Sequence, residues 1–330
     1  MCGVLSTLAS KYYTDIADYN FKLHELLQDQ GYKAYMLLSG DHTAFSHEYR
    51  ALLGDSADLL YDGTVSRSYT INDDHLLLEG LDTIPSYSGS PVFFFFFLMS
   101  SHFVGVKEPE FEAFKPSRLD GLSMLTFWNG QYDRQTLVNR YDNGVLQADA
   151  YIERIFGQLD RKSYLSNALV VIMADHGEGL GEHGNYSHTC YVYQEDIGIP
   201  LLIYDAPEVR YSNLEFAEQQ DVAPTVVDRL GLAVPSCWEG TSLLNGAPRP
   251  DSFHTTRRHD CWRAVIHKAG DKLYKYLRLS NGDTVQKEEL YELASDPLEK
   301  TNIMATAEPG LIQQLRDQMN QAFRLSRGRE

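Results

Sequence analysis

The chain has 330 residues, 43% hydrophobic and 23% charged, with 29 Lys+Arg against 46 Asp+Glu and a formal net charge of -17. This globular composition excludes the disordered, collagenous and fibrous classes. The acidic excess leaves no basic patch to release counterions, so nucleic acid is excluded as a main partner and a cation-holding site is favoured.

The predicted elements alternate between helix and strand. Residues 21–30 are amphipathic and stop at Gly31, a C-cap, after which 34–38 reads as a strand ending in Ser39-Gly40-Asp41-His42. The most apolar stretch, 91–99, carries five consecutive phenylalanines. It is far shorter than the roughly 20 residues of a spanning helix, so it is predicted to be a parallel strand covered on both faces, ending in Ser100-Ser101-His102. A helix over 136–159 follows, with Val138, Tyr141, Val145, Leu146, Ala148, Ile152, Ile155 and Phe156 at helical spacing. Residues 168–174 form another all-apolar strand, ending in Asp175-His176-Gly177; 199–204 is the next strand, and 222–230 a helix starting after Asp221. Beyond a turn-rich linker at 245–250 come short strands at 263–267, 272–279 and 289–292. The hairpin-like Ser280-Asn281-Gly282-Asp283 separates the last two, and a closing helix covers 311–323. This order predicts an α/β core with a mostly parallel sheet over 1–245 and a small α+β subdomain over 246–330. Met1-Cys2-Gly3 lacks the basic start and apolar run of a secretory signal. Cys2, Cys190, Cys237 and Cys261 form no CxxC pair, so neither a disulfide framework nor a cysteine zinc site is expected.

In an open parallel sheet, ligands bind beyond the carboxyl ends of the strands. Three predicted strands deliver polar residues there: Asp41 with His42, then His102, then the cluster Asp175, His176, Glu178, Glu182, His183 and His188. Adjacent carboxylate and imidazole ligands straight after a buried strand are a usual way to assemble a divalent-metal site. Gly179 to Gly184 also spells GxGxxG, with Asp205 roughly 20 residues on, as a dinucleotide fingerprint asks. A pyrophosphate there would sit among Asp175, Glu178 and Glu182, and the residues after Gly184 are poor helix formers, so no dinucleotide is expected. HExxH is absent, which removes the usual zinc-protease reading.

The segment Ala174-Asp175-His176-Gly177-Glu178-Gly179-Leu180-Gly181-Glu182-His183-Gly184 resembles the metal-binding loop of the sulfatase branch of the alkaline phosphatase superfamily. That branch includes arylsulfatases, phosphoethanolamine transferases and lipoteichoic-acid synthases. The stretch from Pro91 to His102, Ile199-Pro200-Leu201-Leu202-Ile203-Tyr204, Asp221-Val222-Ala223-Pro224-Thr225 and Gly240-Thr241-Ser242-Leu243-Leu244 are similar to further landmarks in family order. The stretch from Glu289 to Asn302 resembles the ELYDL-x-x-DP-x-E-x-x-N element near the C-terminus of sulfatases. The resemblance implies an alkaline-phosphatase-like three-layer sandwich and a metal-dependent enzyme that cleaves a sulfate or phosphate ester through a covalent intermediate. It implies one divalent ion held by Asp175 and His176. The imidazole favours Mn or Zn, with Ca or Mg as the less preferred choices. His102 and His188 match the catalytic positions that bind ester oxygens or protonate the leaving group. Glu178, Glu182 and His183 are expected to support the loop. The implied partner is a small-molecule, glycan-linked or lipid-linked ester. As part of a longer protein, the chain is expected at the periplasmic or extracytoplasmic face of a bacterial membrane.

The family nucleophile lies near the N-terminus, in hydrolytic sulfatases as a cysteine of C-x-[PA]-x-R that becomes formylglycine. No cysteine here fits, and the stretch from Cys2 to Ser10 is instead similar to the helix that follows the nucleophile. The expectation is therefore a nucleophile and a first acidic ligand upstream of Met1, a missing first strand, and a chain inactive alone. Ser6 and Thr7 are read as helix packing or capping before they are read as substitute nucleophiles. The alternatives are a phosphoglycerol or phosphoethanolamine transferase of the cell envelope, or a catalytically dead family member.

Overall fold

The computed structural model describes the chain except residues 1, 12–21, 43–52, 54–55, 65–71, 119–132, 187, 189–190, 213–215, 245–248, 257–259, 283 and 328–330. Phe21, Cys190, most of the predicted linker and Asp283 of the predicted hairpin lie outside the described residues. Two compact units are present, Tyr19–Val170 and, joined to Cys2–Asp18, Val171–Glu330. The opening helix α1, Cys2–Ala9, belongs to the second.

In the first unit, α2 (Leu23–Asp29) leads into β1 (Lys33–Leu38), which is buried from Ala34 onward. β1 is the middle strand of a parallel sheet, between β2 (Leu59–Tyr61) and β3 (Val92–Phe97), with Tyr35 opposite both Leu59 and Phe94. Helices α3 (His75–Thr83) and α4 (Arg134–Arg161) contribute Leu77, Leu81, Ile155 and Leu159 to one core with Tyr35 and Leu37, against which Phe94 and Phe96 pack. β3 is half-buried along its length rather than covered on both faces; among the described strands it has β1 as its one neighbour.

Helix α4 begins at the N-cap Asp133, whose carboxylate accepts the Thr136 N–H at 3.1 Å. Val145 and Leu146, predicted for its apolar face, are exposed at 45% and 41%. The buried stripe instead includes Asn139, Asn143 and Gln147, four residues apart, which bond to the main chain of Pro116, Phe114, and Val106 and Glu108. Those amides pin the segment that follows β3, and satisfied polar groups can occupy a buried stripe at little cost.

In the second unit, β4 (Val170–Met173) pairs with β5 (Leu201–Tyr204), and between them lies the short helix α5 (Gln194–Ile197). Helix α6 (Val222–Arg229) starts after Asp221, as expected. The antiparallel sheet runs β6 (Asp251–Thr255), β7 (Asp260–Ala269), β8 (Lys272–Asn281), β9 (Thr284–Glu292), in that order. One face places Val265, Tyr276 and Leu290 on Leu315 and Met319 of α7 (Pro309–Arg327). The other gathers Ala264, Ile266, Leu277 and Tyr291 around Val192 and Tyr193. No helix among the described residues is long and apolar enough to cross a membrane.

Candidate functional site

In the second unit, β4 ends and the chain turns out at once through Asp175 and His176. Two tight backbone approaches hold that turn. A Cβ on Gly3 of α1 would lie 1.9 Å from the Asp175 carbonyl oxygen, and one on Gly177 would lie 2.0 Å from that of Glu195. Neither position has room for a side chain. The Asp175 carbonyl also accepts from Gln219 Nε2 at 2.6 Å.

The His176 ring donates from Nδ1 to the Gly177 carbonyl at 2.7 Å, so its lone pair is on Nε2. That nitrogen lies 3.6 Å from Asp175 Oδ2, a separation that an ion bonded at about 2.1 Å to each can bridge. Beside this pair, the His188 ring stacks on His176 with centroids 4.1 Å apart, and its Nδ1 faces Glu178 Oε2 at 3.0 Å. Burial draws the His188 pKa down, but the bond to Glu178, with the charges of Glu178 and Asp175, outweighs it and the net direction is up. The Glu178 side chain is only 8% exposed, and its Oε1 is buried with no hydrogen-bond partner among the described residues. An orphaned carboxylate oxygen beside an imidazole suits a site that takes a cation. The donor set therefore fits a divalent ion that accepts nitrogen.

Of the other predicted loop residues, Glu182 accepts the Leu180 N–H at 2.7 Å, and His183 bonds to Glu195 and to the Glu299 carbonyl. Thr7 donates its hydroxyl to the Gly3 carbonyl at 2.8 Å, the helix back-bonding expected of it.

His102 belongs to the first unit, in the loop after β3. Its Nδ1 accepts the Val104 N–H at 3.3 Å, which leaves the proton of the neutral ring on Nε2. Two cations grip the carbonyls of that loop. Lys107 Nζ donates to His102 and Gly105 at 2.9 and 3.1 Å, and Arg140 donates to Phe103 and Gly105. Burial, helped by Arg140, pulls the Lys107 pKa down to about 7. Asp74 anchors the start of the loop, accepting the N–H groups of Met99 and Ser100 at 2.7 and 3.1 Å.

Sequence reasoning did not single out Lys107, Arg140 or the pairing of Glu178 with His188. A lysine after the apolar run Phe103-Val104-Gly105-Val106 was the available signal for the first. The Glu178 pairing left none, because it depends on how the loop folds back.

Comparison with known proteins identifies the class. The chain belongs to the sulfatase family, whose model matches residues 4–232, and the model for the C-terminal part of N-sulphoglucosamine sulphohydrolase matches 181–325. It is 26% identical over 206 residues to an N-acetylglucosamine-6-O-sulfatase of Bacteroides thetaiotaomicron, covering 59% of this chain and 36% of that protein. It is 28% identical over 205 residues to the multifunctional alkaline phosphatase superfamily protein PehA of Trinickia caryophylli, covering 54% and 38%. With mouse (Mus musculus) arylsulfatase K the identity is 30% over 193 residues, covering 53% and 34%. The match thus spans little more than a third of these relatives' length. The fold is that of a protein solved with its substrate D-glucosamine-2-N,6-O-disulfate, at a TM-score of 0.71 and 14% identity, covering 99% of this chain and 89% of that one. It is also that of a phosphonate monoester hydrolase from Silicibacter pomeroyi, at a TM-score of 0.70 and 16% identity, covering 98% and 85%. The expected mixed α/β, alkaline-phosphatase-like fold is therefore present.

Proposed function

We propose that this protein hydrolyses a sulfate ester carried on a carbohydrate, using a divalent ion held by Asp175 and His176. The observation that carries the reading is the convergence of Asp175 Oδ2 and His176 Nε2 at 3.6 Å, with the other ring nitrogen already spent on Gly177. The sugar is supported by relatives named for N-acetylglucosamine-6-sulfate and for a glucosamine disulfate. When bound, the ion supplies a Lewis acid that draws charge from an ester oxygen. His188, whose Nδ1 faces Glu178, is assigned a proton-donor role toward the ester on the family resemblance. His102, protonated on Nε2, is assigned the second donor role on the family resemblance. Manganese or zinc is the proposed ion, because calcium takes oxygen ligands almost exclusively. The reaction runs through a covalent intermediate, for which no described residue is assigned as nucleophile.

A second reading, hydrolysis of a phosphate or phosphonate ester, draws on the likeness to PehA and to the phosphonate monoester hydrolase. Turnover of matched aryl sulfate, aryl phosphate and sugar-6-sulfate esters by an active form of the protein that supplies the nucleophile, with and without chelator, tests both. Chelator-sensitive sulfate release that falls by roughly 10²–10⁴ in His102→Ala and His188→Ala is expected. Equal rates in both variants would refute the assignment.

A further inference from the structure

Strand β8 carries Leu273, Lys275, Leu277 and Leu279 on alternate positions, so a lysine stands in a row of leucines. Leu273, Leu277 and Leu279 join the apolar cluster around Tyr193. Lys275 pairs with Glu299 at 2.8 Å, and both side chains are 0% exposed. A fully buried ion pair is a poor route to stability, since apolar residues of similar volume often do as well.

The bonds of Glu299 lead toward the metal-binding loop. Its second carboxylate oxygen accepts the N–H of Gln194, the first residue of α5, at 2.5 Å, and Lys275 Nζ reaches Gln194 Oε1 at 3.4 Å. The Glu299 carbonyl faces His183 Nε2 at 3.0 Å, while His183 Nδ1 faces Glu195 Oε1 at 2.8 Å. The Glu299 carbonyl can only accept, so Nε2 donates to it, and a protonated ring would donate to the Glu195 carboxylate as well. Its ring lies parallel on Tyr193, 3.9 Å between centroids, and Tyr193 donates to Glu289 of β9 at 2.6 Å. His183 and Glu299 both sit in the left-handed region, at φ 43° and 51°, where a residue with a side chain stays only if its surroundings hold it there. From α5 the connection returns to the site: the Asp196 carbonyl accepts the Gly177 N–H at 2.8 Å, and the Glu195 carbonyl presses on Gly177, the residue after His176.

We propose that Lys275, Glu299 and His183 are positioning residues, a buried clamp through which the C-terminal sheet holds the Asp175-His176 loop in its ligating shape. The clamp rests on the metal reading given above. It gives the segment from Glu289 to Asn302 a role beyond closing the fold, because that segment supplies both the carboxylate and the carbonyl that the clamp needs.

The test uses the full chain, His183→Ala, the charge-free double variant Lys275→Met/Glu299→Leu, Asp175→Ala, and Arg154→Ala as a surface control in the first unit. Mn²⁺ binding is read by its paramagnetic resonance signal, and amide hydrogen exchange of the metal-free proteins is read over 174–180 and over β8. The clamp predicts that His183→Ala and the double variant bind Mn²⁺ 10- to 100-fold more weakly. It also predicts at least tenfold loss of protection in 174–180, with β8 protection retained and the control unchanged. Unaltered loop protection and Mn²⁺ affinity within twofold of wild type in His183→Ala would overturn it. Failure of the metal reading looks different: the wild type would then show no Mn²⁺ binding that Asp175→Ala removes.

Discussion

Replacing Lys275 with methionine keeps most of the side chain and removes its charge, leaving the Glu299 carboxylate fully buried with the Gln194 N–H at 2.5 Å as its remaining main-chain donor. Burial already pushes the Glu299 carboxyl pKa upward, opposed chiefly by Lys275, so the variant escapes an unpaired charge by taking up a proton. From an unfolded value of about 4.3, protonation at pH 7 costs about 2.7 units at 1.36 kcal/mol each, or about 3.7 kcal/mol. This caps the loss and agrees with the 3–5 kcal/mol typical of breaking a buried pair from one side. A carboxyl whose folded pKa is raised destabilises above its unfolded pKa and is relieved as pH falls, so at pH 5 the cap drops to about 1 kcal/mol. Urea unfolding of wild type and variant at both pH values, followed by the fluorescence of Trp262 in the adjoining cluster, measures the difference. The double variant Lys275→Met/Glu299→Leu should recover most of the loss at pH 7. A single-variant cost below about 1 kcal/mol at pH 7, or one unchanged at pH 5, would refute the assignment of a buried charged pair.

Two further outcomes follow from named bonds. Burial pulls the His183 pKa down, but the Glu299 carbonyl and the Glu195 carboxylate outweigh it, so the folded value lies above the ordinary 6.5. The stabilisation from His183 is then complete below pH 6.5 and lost as pH rises through the folded value, and the thermal advantage of wild type over His183→Gln should shrink from pH 6 to pH 9. Lys107→Met removes two ammonium bonds to the carbonyls of His102 and Gly105. It should cost about 1.5–3 kcal/mol in urea unfolding at pH 6, and a loss below 0.5 kcal/mol, on the order of measurement error, would show that Arg140 holds the loop alone.

How much was legible depended on how local the signal was. Apolar runs that stop abruptly at polar residues marked β1, β3 and β4, and the adjacent Asp175 and His176 stood out because two ligand types follow such a run directly. Leu59–Tyr61 is too short to show alternation, and His75–Thr83 is interrupted by Gly80, so β2 and α3 went unread. Asp251–Thr255 follows a proline-rich turn and alternates weakly; its pairing with β7 makes it a strand. In α4 the periodicity was right and Ile155 lies in the core as read, but Val145 and Leu146 face outward. Asn139, Asn143 and Gln147 are buried because their partners lie some 20 to 40 residues earlier in the chain. The clamp was hidden for the same reason, since Lys275 and Glu299 approach each other only through the turn that follows β9. Lys275 within a leucine row was its one local sign.

The central claim is that Asp175 and His176 together hold a divalent ion. Crystals of the full chain grown with Mn²⁺, measured at the manganese absorption edge, test it most directly. The structure predicts one anomalous peak bonded to Asp175 Oδ2 and His176 Nε2 at about 2.0–2.2 Å, absent from Asp175→Ala crystals grown the same way. No peak at the loop in Mn²⁺-grown crystals, or a peak there that persists in Asp175→Ala, would contradict it.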